Sequence, residues 1–397
     1  MRALRELRHS AKPRHFSKIK DVHLSHKPSL LWGTLSGDRW RHKSMGLTLE
    51  HITDPEMFDT LQSHAFNNLK SWKKEKVDPP KKVEVVQQDF GVTALELTKK
   101  HGKVYPVLNM ANSLFPGGAA LEGGSAQEEN MWHRSSCARS LLSKGIYYDE
   151  ERKCFLYDDH TRRLLSGQVK MSPDELHSLS VRRGIKIPEA YKVFMDEHPQ
   201  IFFRGPEILV PTYSDEFTSK IQFIADNVLS YPLLSKEKIF PFYEIRASAP
   251  ELVGKEIDLE NKDFAGQYTG DLRHRISALL DTLILKGQTD AILGAWGCGS
   301  FKNKPEIVAE IFREEIEKRA KHFQHIVFPI IDTQQETNYP VFKKYLDGLK
   351  LGNLAGKSRF NTKALTLLNP YSLYALGDKK PETTSKDEPK IPTCGPL

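Results

Sequence analysis

The stretch Val104-Tyr-Pro-Val-Leu-Asn-Met-Ala-Asn-Ser-Leu-Phe-Pro-Gly-Gly-Ala-Ala-Leu-Glu-Gly-Gly-Ser-Ala-Gln-Glu-Glu129 decides the fold. A short apolar run ends on Asn112 and reads as a buried strand. A proline and two glycine pairs follow, and a new periodic segment opens near Ala126. Gly117 and Gly118 carry no side chain to keep a ligand from backbone N–H groups. Gln127, Glu128 and Glu129 open the next helix, where the helix dipole favours negative charge. Pro-Gly-Gly alone is a turn, and acids in a first helical turn are ordinary capping chemistry.

A second glycine-rich strand exit adds weight to a ligand site: Ala291-Ile-Leu-Gly-Ala-Trp-Gly-Cys-Gly-Ser-Phe301, ahead of a helix beginning near Lys304. Ligands of open α/β sheets sit beyond the carboxyl ends of strands, so two such loops can grip a diphosphate from both sides. Outward from these loops the pattern alternates. Strands are expected at 83–89, 104–112, 208–211, 242–249, 291–296 and 325–332. Helices are expected at 93–101, 126–142, 270–286, 304–323 and 338–349. This alternation implies an α/β fold with a largely parallel sheet.

Pro116-Gly-Gly, Gln127-Glu-Glu, Arg134-Ser-Ser and Leu293-Gly-Ala-Trp-Gly-Cys-Gly resemble the macrodomains of the microbial poly(ADP-ribose) glycohydrolase type, in order over residues 83 to 345. The resemblance implies a macrodomain-like three-layer α/β/α core that binds ADP-ribose. The family's third loop glycine is Ala119 here, which implies a stiffer loop or a different substrate. ADP-ribose would take its diphosphate hydrogen bonds from Gly117, Gly118 and Ala119 and from Gly297, Cys298, Gly299, Ser300 and Phe301. Asn112 and Gln127 would converge on the distal ribose. Phe301, Tyr339 and Phe342 are candidates for stacking on adenine, with core packing the alternative for each. In the resembled glycohydrolases the second glutamate of Gln-Glu-Glu works as acid and base, which maps to Glu129, with Glu128 orienting substrate.

The long insertion and the acidic segment before residues 270–286 are also similar to the MavL group of Legionella effectors and related eukaryotic proteins, which remove ADP-ribose from arginine. Their essential aspartates are spaced eight and then ten residues apart, and Asp263, Asp271 and Asp281 reproduce that spacing. A guanidinium is planar and permanently charged, so carboxylates can hold it bidentately while one activates water. Asp263 would lie in a loop and Asp271 in the first turn of the helix. Ten residues of continuous helix put Asp281 about 15 Å along the axis from Asp271 and about 80° around it, so one ligand atom cannot touch both.

The leading expectation is thus a mono-ADP-ribosyl hydrolase acting on arginine-linked ADP-ribose, with ubiquitin one compatible protein carrier. A poly(ADP-ribose) glycohydrolase using Glu128 and Glu129, or a non-catalytic ADP-ribose reader, is the alternative. No cofactor is indicated. The fifteen histidines lack metal-ligand spacing, and Cys298 has no base at a useful spacing to make it a nucleophile.

Composition sets outer limits. The four cysteines (Cys137, Cys154, Cys298 and Cys394) form no disulfide or metal pattern and fit a reducing interior. No apolar run approaches the ~20 residues of a membrane span, and no secretory h-region is visible. A cytoplasmic protein is expected, with export as an effector left open. Residues 1–45 hold eleven Lys or Arg against three acids, a charge of +8 (11 − 3), so with a net charge of +7 the rest of the chain is close to −1. Nucleic-acid binding through this basic arm is a lesser expectation.

Three regions are expected: a basic arm and helical extension over 1–82, a core over 83–352, and a tail over 353–397 that is in part disordered. Asp54-Pro55 begins a helix bearing Phe58, Leu61, Ala65 and Leu69. An insertion at about 161–199, helical in part from the signature Ser172-Pro-Asp-Glu, interrupts the core.

Overall fold

A computed structural model describes residues 13–29, 33, 36–208, 230–254, 261–332 and 337–352. The expectations for the tail and for most of a strand at 208–211 lie outside the described residues.

Seven strands form the main sheet, in the order β1 (Lys82–Val86), β11 (His325–Pro329), β10 (Asp290–Ile292), β2 (Pro106–Asn109), β9 (Phe240–Arg246) and β7 (Phe194–Met195). The first five are mutually parallel, with Val107 opposite both Ile292 and Glu244. β7 and β8 (Gln200–Phe202) both pair antiparallel with β9, giving the mixed, largely parallel sheet of an α/β fold. β2, β10 and β11 are buried at every residue, as parallel strands covered on both faces must be.

One face is covered by α8 (Lys262–Leu285), α9 (Pro305–Glu317) and α10 (Asn338–Leu346), whose apolar sides join Val83, Leu108, Ile245, Ala291 and Ile326 in one cluster. The other face carries α4 (Phe90–His101), α5 (Gln127–Arg134) and three helices from the N-terminal extension: α1 (Pro13–Ser25), α2 (Asp38–Thr53) and α3 (Pro55–Trp72). Asp54 caps α3 by accepting the N–H groups of Glu56 and Met57, and Leu61, Ala65 and Leu69 are its buried stripe. Ile19, Met45, Leu49 and Ile52 pack in the same cluster as Val107, Trp132 and Phe240, so the extension forms a layer on the sheet.

The basic segment 1–45, whose sequence shows no sustained apolar period, contains α1 and the start of α2 among its described residues. The hydrophobic period is hidden because half of the buried face of α2 is polar, with Arg41, His42, Ser44 and Thr48 beside Trp40, Met45, Leu49 and Ile52. Helix α8 begins at Lys262, eight residues earlier than expected, with Asn261 accepting the N–H groups of Asp263 and Phe264.

The hairpin β3 (Ile146–Asp149) and β4 (Cys154–Tyr157) precedes α6 (Asp159–Leu165). Beyond it, α7 (Pro173–Arg183) starts with a capping box formed by Ser172 and Glu175 and lies between the paired strands β5 (Val169–Lys170) and β6 (Tyr191–Lys192). Leu179, Ala190 and Val193 bury into the cluster under α8, and β7 enters the main sheet, so the insertion is part of the core. Among the described residues no helix is long and apolar enough to cross a membrane.

Candidate active site

The two glycine loops leave the carboxyl ends of β2 and β10, which are neighbours in the sheet. Their internal bonding differs. In the first loop every N–H of the Gly117–Ala119 run has a partner. Gly117 donates to Glu128 Oε1 at 3.0 Å, Gly118 to the Phe115 carbonyl at 3.0 Å, and Ala119 to Glu129 Oε1 at 3.0 Å. The diphosphate donors expected from this run are thus already engaged with helix α5 and with the turn itself.

Gly117 and Gly118 have φ of +80° and +55°, which an L side chain rarely adopts. A Cβ on Gly117 would lie 2.3 Å from the Trp132 ring, and one on Gly118 would lie 2.3 Å from Glu129 Oε1. These glycines let the loop press onto α5. Ala119 is not among the positive-φ residues, so its methyl group costs nothing in backbone strain.

Glu128 is buried, and its Oε2 accepts the Asn112 N–H at 2.6 Å, so one carboxylate clamps both ends of the loop. Burial pushes its pKa well up, and the neighbouring Glu129 adds to this, against the pull of the two backbone donors. Glu129 Oε2 is buried and has no hydrogen-bond partner among the described residues. Burial raises its pKa as well, opposed by the Ala119 N–H. Glu122, between the two glycine pairs, was not singled out from sequence. Its Oε2 is likewise buried without a described partner, and burial raises its pKa. Three carboxyl groups thus line one turn.

Asn112 uses Oδ1 to accept the Leu114 and Phe115 N–H groups, at 2.8 and 2.9 Å, which fixes the turn after β2. Gln127 accepts the Met110 N–H and donates to the Leu108 carbonyl, both at 2.9 Å. Arg134 grips Asp89 with two bonds of 2.9 Å, while Ser135 and Ser136 bond Met131 and Gln200. These motif positions hold α5 against the sheet.

The second loop is held from within by Trp296, whose indole N–H donates to Ala247, and by Asn303, which donates to Pro250 and Gly297. Gly297 has φ +74°, and a Cβ there would lie 2.5 Å from Ala249. The N–H groups of Gly297, Gly299, Ser300 and Phe301 have no hydrogen-bond partner among the described residues. Cys298 is buried, its thiol 3.6 Å from the Trp296 carbonyl. Phe301 and Tyr339 are half-buried against the core, and Phe342 is fully inside it. Tyr339 donates its N–H to Asp332 and accepts from Lys343.

The three aspartates are strung down α8 and do not converge, since eight and ten residues of helix span about 12 and 15 Å. Asp263 is exposed in the first turn rather than in a loop. Asp271 lies two turns further in and pairs with Arg275 at 2.9 Å. Asp281 is buried towards the opposite end, bound bidentately by Arg319 at 2.9 and 2.6 Å and approached by Arg183 at 3.3 Å. Its carboxylate ties α8 to the residues after α9 and to α7.

A second polar cluster, also missed from sequence, lies under the first loop where β2 and β9 end. Glu244 accepts from Asn109 and from Arg246, both at 2.6 Å, and all three are buried. Only register brings them together: Asn109 faces Arg246 across the sheet.

The sheet thus carries paired glycine loops at its carboxyl edge, with the buried Glu128 and half-buried Glu129 on helix α5 beside the first of them, at the edge where open α/β sheets take their ligands. Residues 52–171 match the family model described as "Microbial-type PARG, catalytic domain", a span that contains the first loop and Glu128–Glu129 but not the second loop. The chain is similar to the structure of poly(ADP-ribose) glycohydrolase from Deinococcus radiodurans in complex with ADP-ribose, with 22% identity and a TM-score of 0.42, over 70% of this chain and 90% of that one. It is similar to the Thermomonospora curvata enzyme at 18% identity and a TM-score of 0.44, over 77% and 99%. The same enzyme bound to the inhibitor ADP-HPD gives 20% identity and 0.44, over 77% and 98%. No curated protein matches.

Proposed function

We propose that this protein is an ADP-ribosyl glycohydrolase that binds a terminal ADP-ribose and cleaves the bond at C1″, with poly(ADP-ribose) as the favoured substrate. The observation that carries the reading is the Glu129 carboxyl group: one oxygen is fixed by a backbone N–H, and the other is buried and unpartnered beside a glycine turn. The match of this segment to a poly(ADP-ribose) glycohydrolase family model supports the polymer as substrate.

Glycoside cleavage passes through an oxocarbenium-like state and needs an acid for the leaving oxygen. Burial keeps Glu129 protonated at higher pH than an ordinary carboxyl, as that role requires. As the C1″–O bond breaks, Glu129 gives its proton to the departing ribose oxygen. It then takes one from the water that adds to C1″, so the acid is restored. Glu128 holds the loop at both ends, and Asn112 faces the distal ribose. The diphosphate rests on the N–H groups of Gly297, Gly299, Ser300 and Phe301, with Phe301 and Tyr339 beside the nucleotide. Activity falls as pH rises through the Glu129 pKa, because the acid is lost.

A second reading is hydrolysis of arginine-linked mono-ADP-ribose on a protein carrier, ubiquitin among the compatible ones. It draws support from the exposed Asp263 and from Asp271, whose carboxylate already holds the guanidinium of Arg275. In that reading Asp281 supports α8 from a distance.

Incubation with polymeric, arginine-linked, serine-linked and glutamate-linked ADP-ribose tests the choice. Release of ADP-ribose from polymer, lost in Glu129→Gln, is expected. Release from arginine alone, lost in Asp271→Asn and kept in Glu129→Gln, would establish the second reading. Calorimetric binding of ADP-ribose with no turnover on any linkage would make the protein a reader.

A further inference from the structure

The first loop is held from the outside by the N-terminal layer. Arg41 of α2 is buried and donates from Nε to the Gly123 carbonyl at 2.7 Å. Its Nη1 reaches Glu207 at 2.8 Å, and its Nη2 reaches Asp38 at 2.6 Å and the Ser36 carbonyl at 2.8 Å. The Leu121 carbonyl is met by His23 Nδ1 at 3.0 Å. There is no slack at this contact, since a Cβ on Gly123 would lie 2.2 Å from the Asp38 carbonyl oxygen. Inside the loop, Gly124 donates back to the Ala119 carbonyl at 2.8 Å, which closes residues 119–124 into one turn. Across the next peptide, the Ala119 N–H holds Glu129.

Contacts therefore run without a gap from α2 through Gly123 and the closed turn to the Glu129 carboxyl group. We infer that Arg41 is a positioning residue for Glu129: by fixing the Gly123 carbonyl it sets the Ala119 N–H, and with it the acid, in the geometry for proton transfer. Helix α2 thus helps to set the acid, although Arg41 lies before the span matched by the family model. The inference rests on the glycohydrolase reading given above.

Arg41 also acts through charge. The groups facing Glu129 are Glu128 on its own helix, Glu122 in the loop, Arg41 on α2 and Tyr231 from the segment after residue 229. Arg41 is the cation among them, and it lowers the Glu129 pKa. Its removal raises that pKa and moves the basic limb of the pH–rate profile to higher pH.

The test compares the full-length wild type with Arg41→Ala, Arg41→Lys and Glu207→Gln, using poly(ADP-ribose) turnover, thermal unfolding and hydrogen exchange of residues 113–125. Glu207→Gln removes a partner of Arg41 and leaves the Gly123 contact, so it reports the cost of disturbing the buried ion pair alone. Arg41→Ala is expected to lower kcat about 100-fold with KM within about twofold, as for a small misplacement of a reacting group. It also shifts the basic limb upward and speeds exchange in 113–125. Arg41→Lys keeps the charge and so restores the position of the basic limb, but recovers only part of kcat. Glu207→Gln is expected to lose stability while keeping kcat and slow exchange in that peptide. The inference is overturned if Arg41→Ala loses stability with kcat, pH profile and loop exchange unchanged, or if Glu207→Gln loses as much kcat as Arg41→Ala. A wild type that turns over no polymer sinks the glycohydrolase reading instead, and loop exchange in Arg41→Ala still decides whether the arginine holds the turn.

Discussion

The two glycine loops look alike as strings of residues and behave differently in the fold. In the first, the N–H groups of Gly117, Gly118 and Ala119 are all taken, two of them by the carboxyl groups of helix α5. In the second, four N–H groups have no described partner, and the loop is braced instead by Trp296 and Asn303 from within. Glycine permits close packing in both loops, of Gly117 against Trp132 and of Gly297 against Ala249, but only the second leaves a run of N–H groups without described partners. In the proposed glycohydrolase, the first loop places the acid and the second receives the diphosphate.

That division is open to attack by substitution. The largest effect is expected from Glu129→Gln, which should cut turnover by about 10²–10⁴-fold, the range for a lost general acid, with ADP-ribose affinity little changed. If affinity fell in parallel, as calorimetry would show, the two loops would not be separable. Gly117→Ala should come next. Its Cβ meets Trp132 and its backbone is left-handed, so a destabilisation of about 1–3 kcal/mol is expected in thermal unfolding, as for an overpacked core.

Ser300→Asp should do the reverse. Ser300 is exposed, so the melting temperature should hold while ADP-ribose affinity drops about tenfold, roughly the 1.4 kcal/mol of a modest charge repulsion. Unchanged affinity would remove the second loop from the diphosphate site.

Acid should weaken the first loop and spare the second. Burial holds His23 at about 4 and His133 at about 3, and their ring nitrogens meet the carbonyls of Leu121 and Gly124. Both are neutral in the fold and become protonated on unfolding below about 6.5, so the unfolded state binds more protons and stability falls with pH. The loss begins near pH 6.5 and is complete near pH 4 for His23 and near pH 3 for His133. One unit below 6.5 it amounts to about 1.4 kcal/mol per histidine. Hydrogen exchange at pH 5.5 against pH 7.5 should quicken in 113–125 and not in 294–303.

What could be read from the chain follows the range of the interactions involved. Strand β2, the turn and the carboxylates of α5 lie within 26 consecutive residues, and local pattern revealed all three. The role of Asp281 was out of reach, because its partners Arg319 and Arg183 are 38 and 98 residues away. Spacing along a helix tells how far apart side chains are and not what they meet. Helix α2 escaped notice because hydrogen bonds satisfy much of its buried face: Thr48 bonds the His133 carbonyl, and Arg41 bonds Gly123. The first turns of α8 were obscured by Gly266 and Gly270, two residues unfavourable in a helix interior, each with open space around it.

Gln127 has a lasting effect on how this region can vary. Its side-chain amide adds one rung to the ladder of β2, accepting from Met110 and donating to the carbonyl of Leu108. The start of α5 is thereby stapled to the strand whatever path the intervening residues take. Changes between Ser113 and Ala126 therefore leave the helix that bears the acids on its strand and act on the backbone bonds that orient their carboxyl groups. A glutamate at 127 would break the staple, since an ionised carboxylate offers no proton to Leu108.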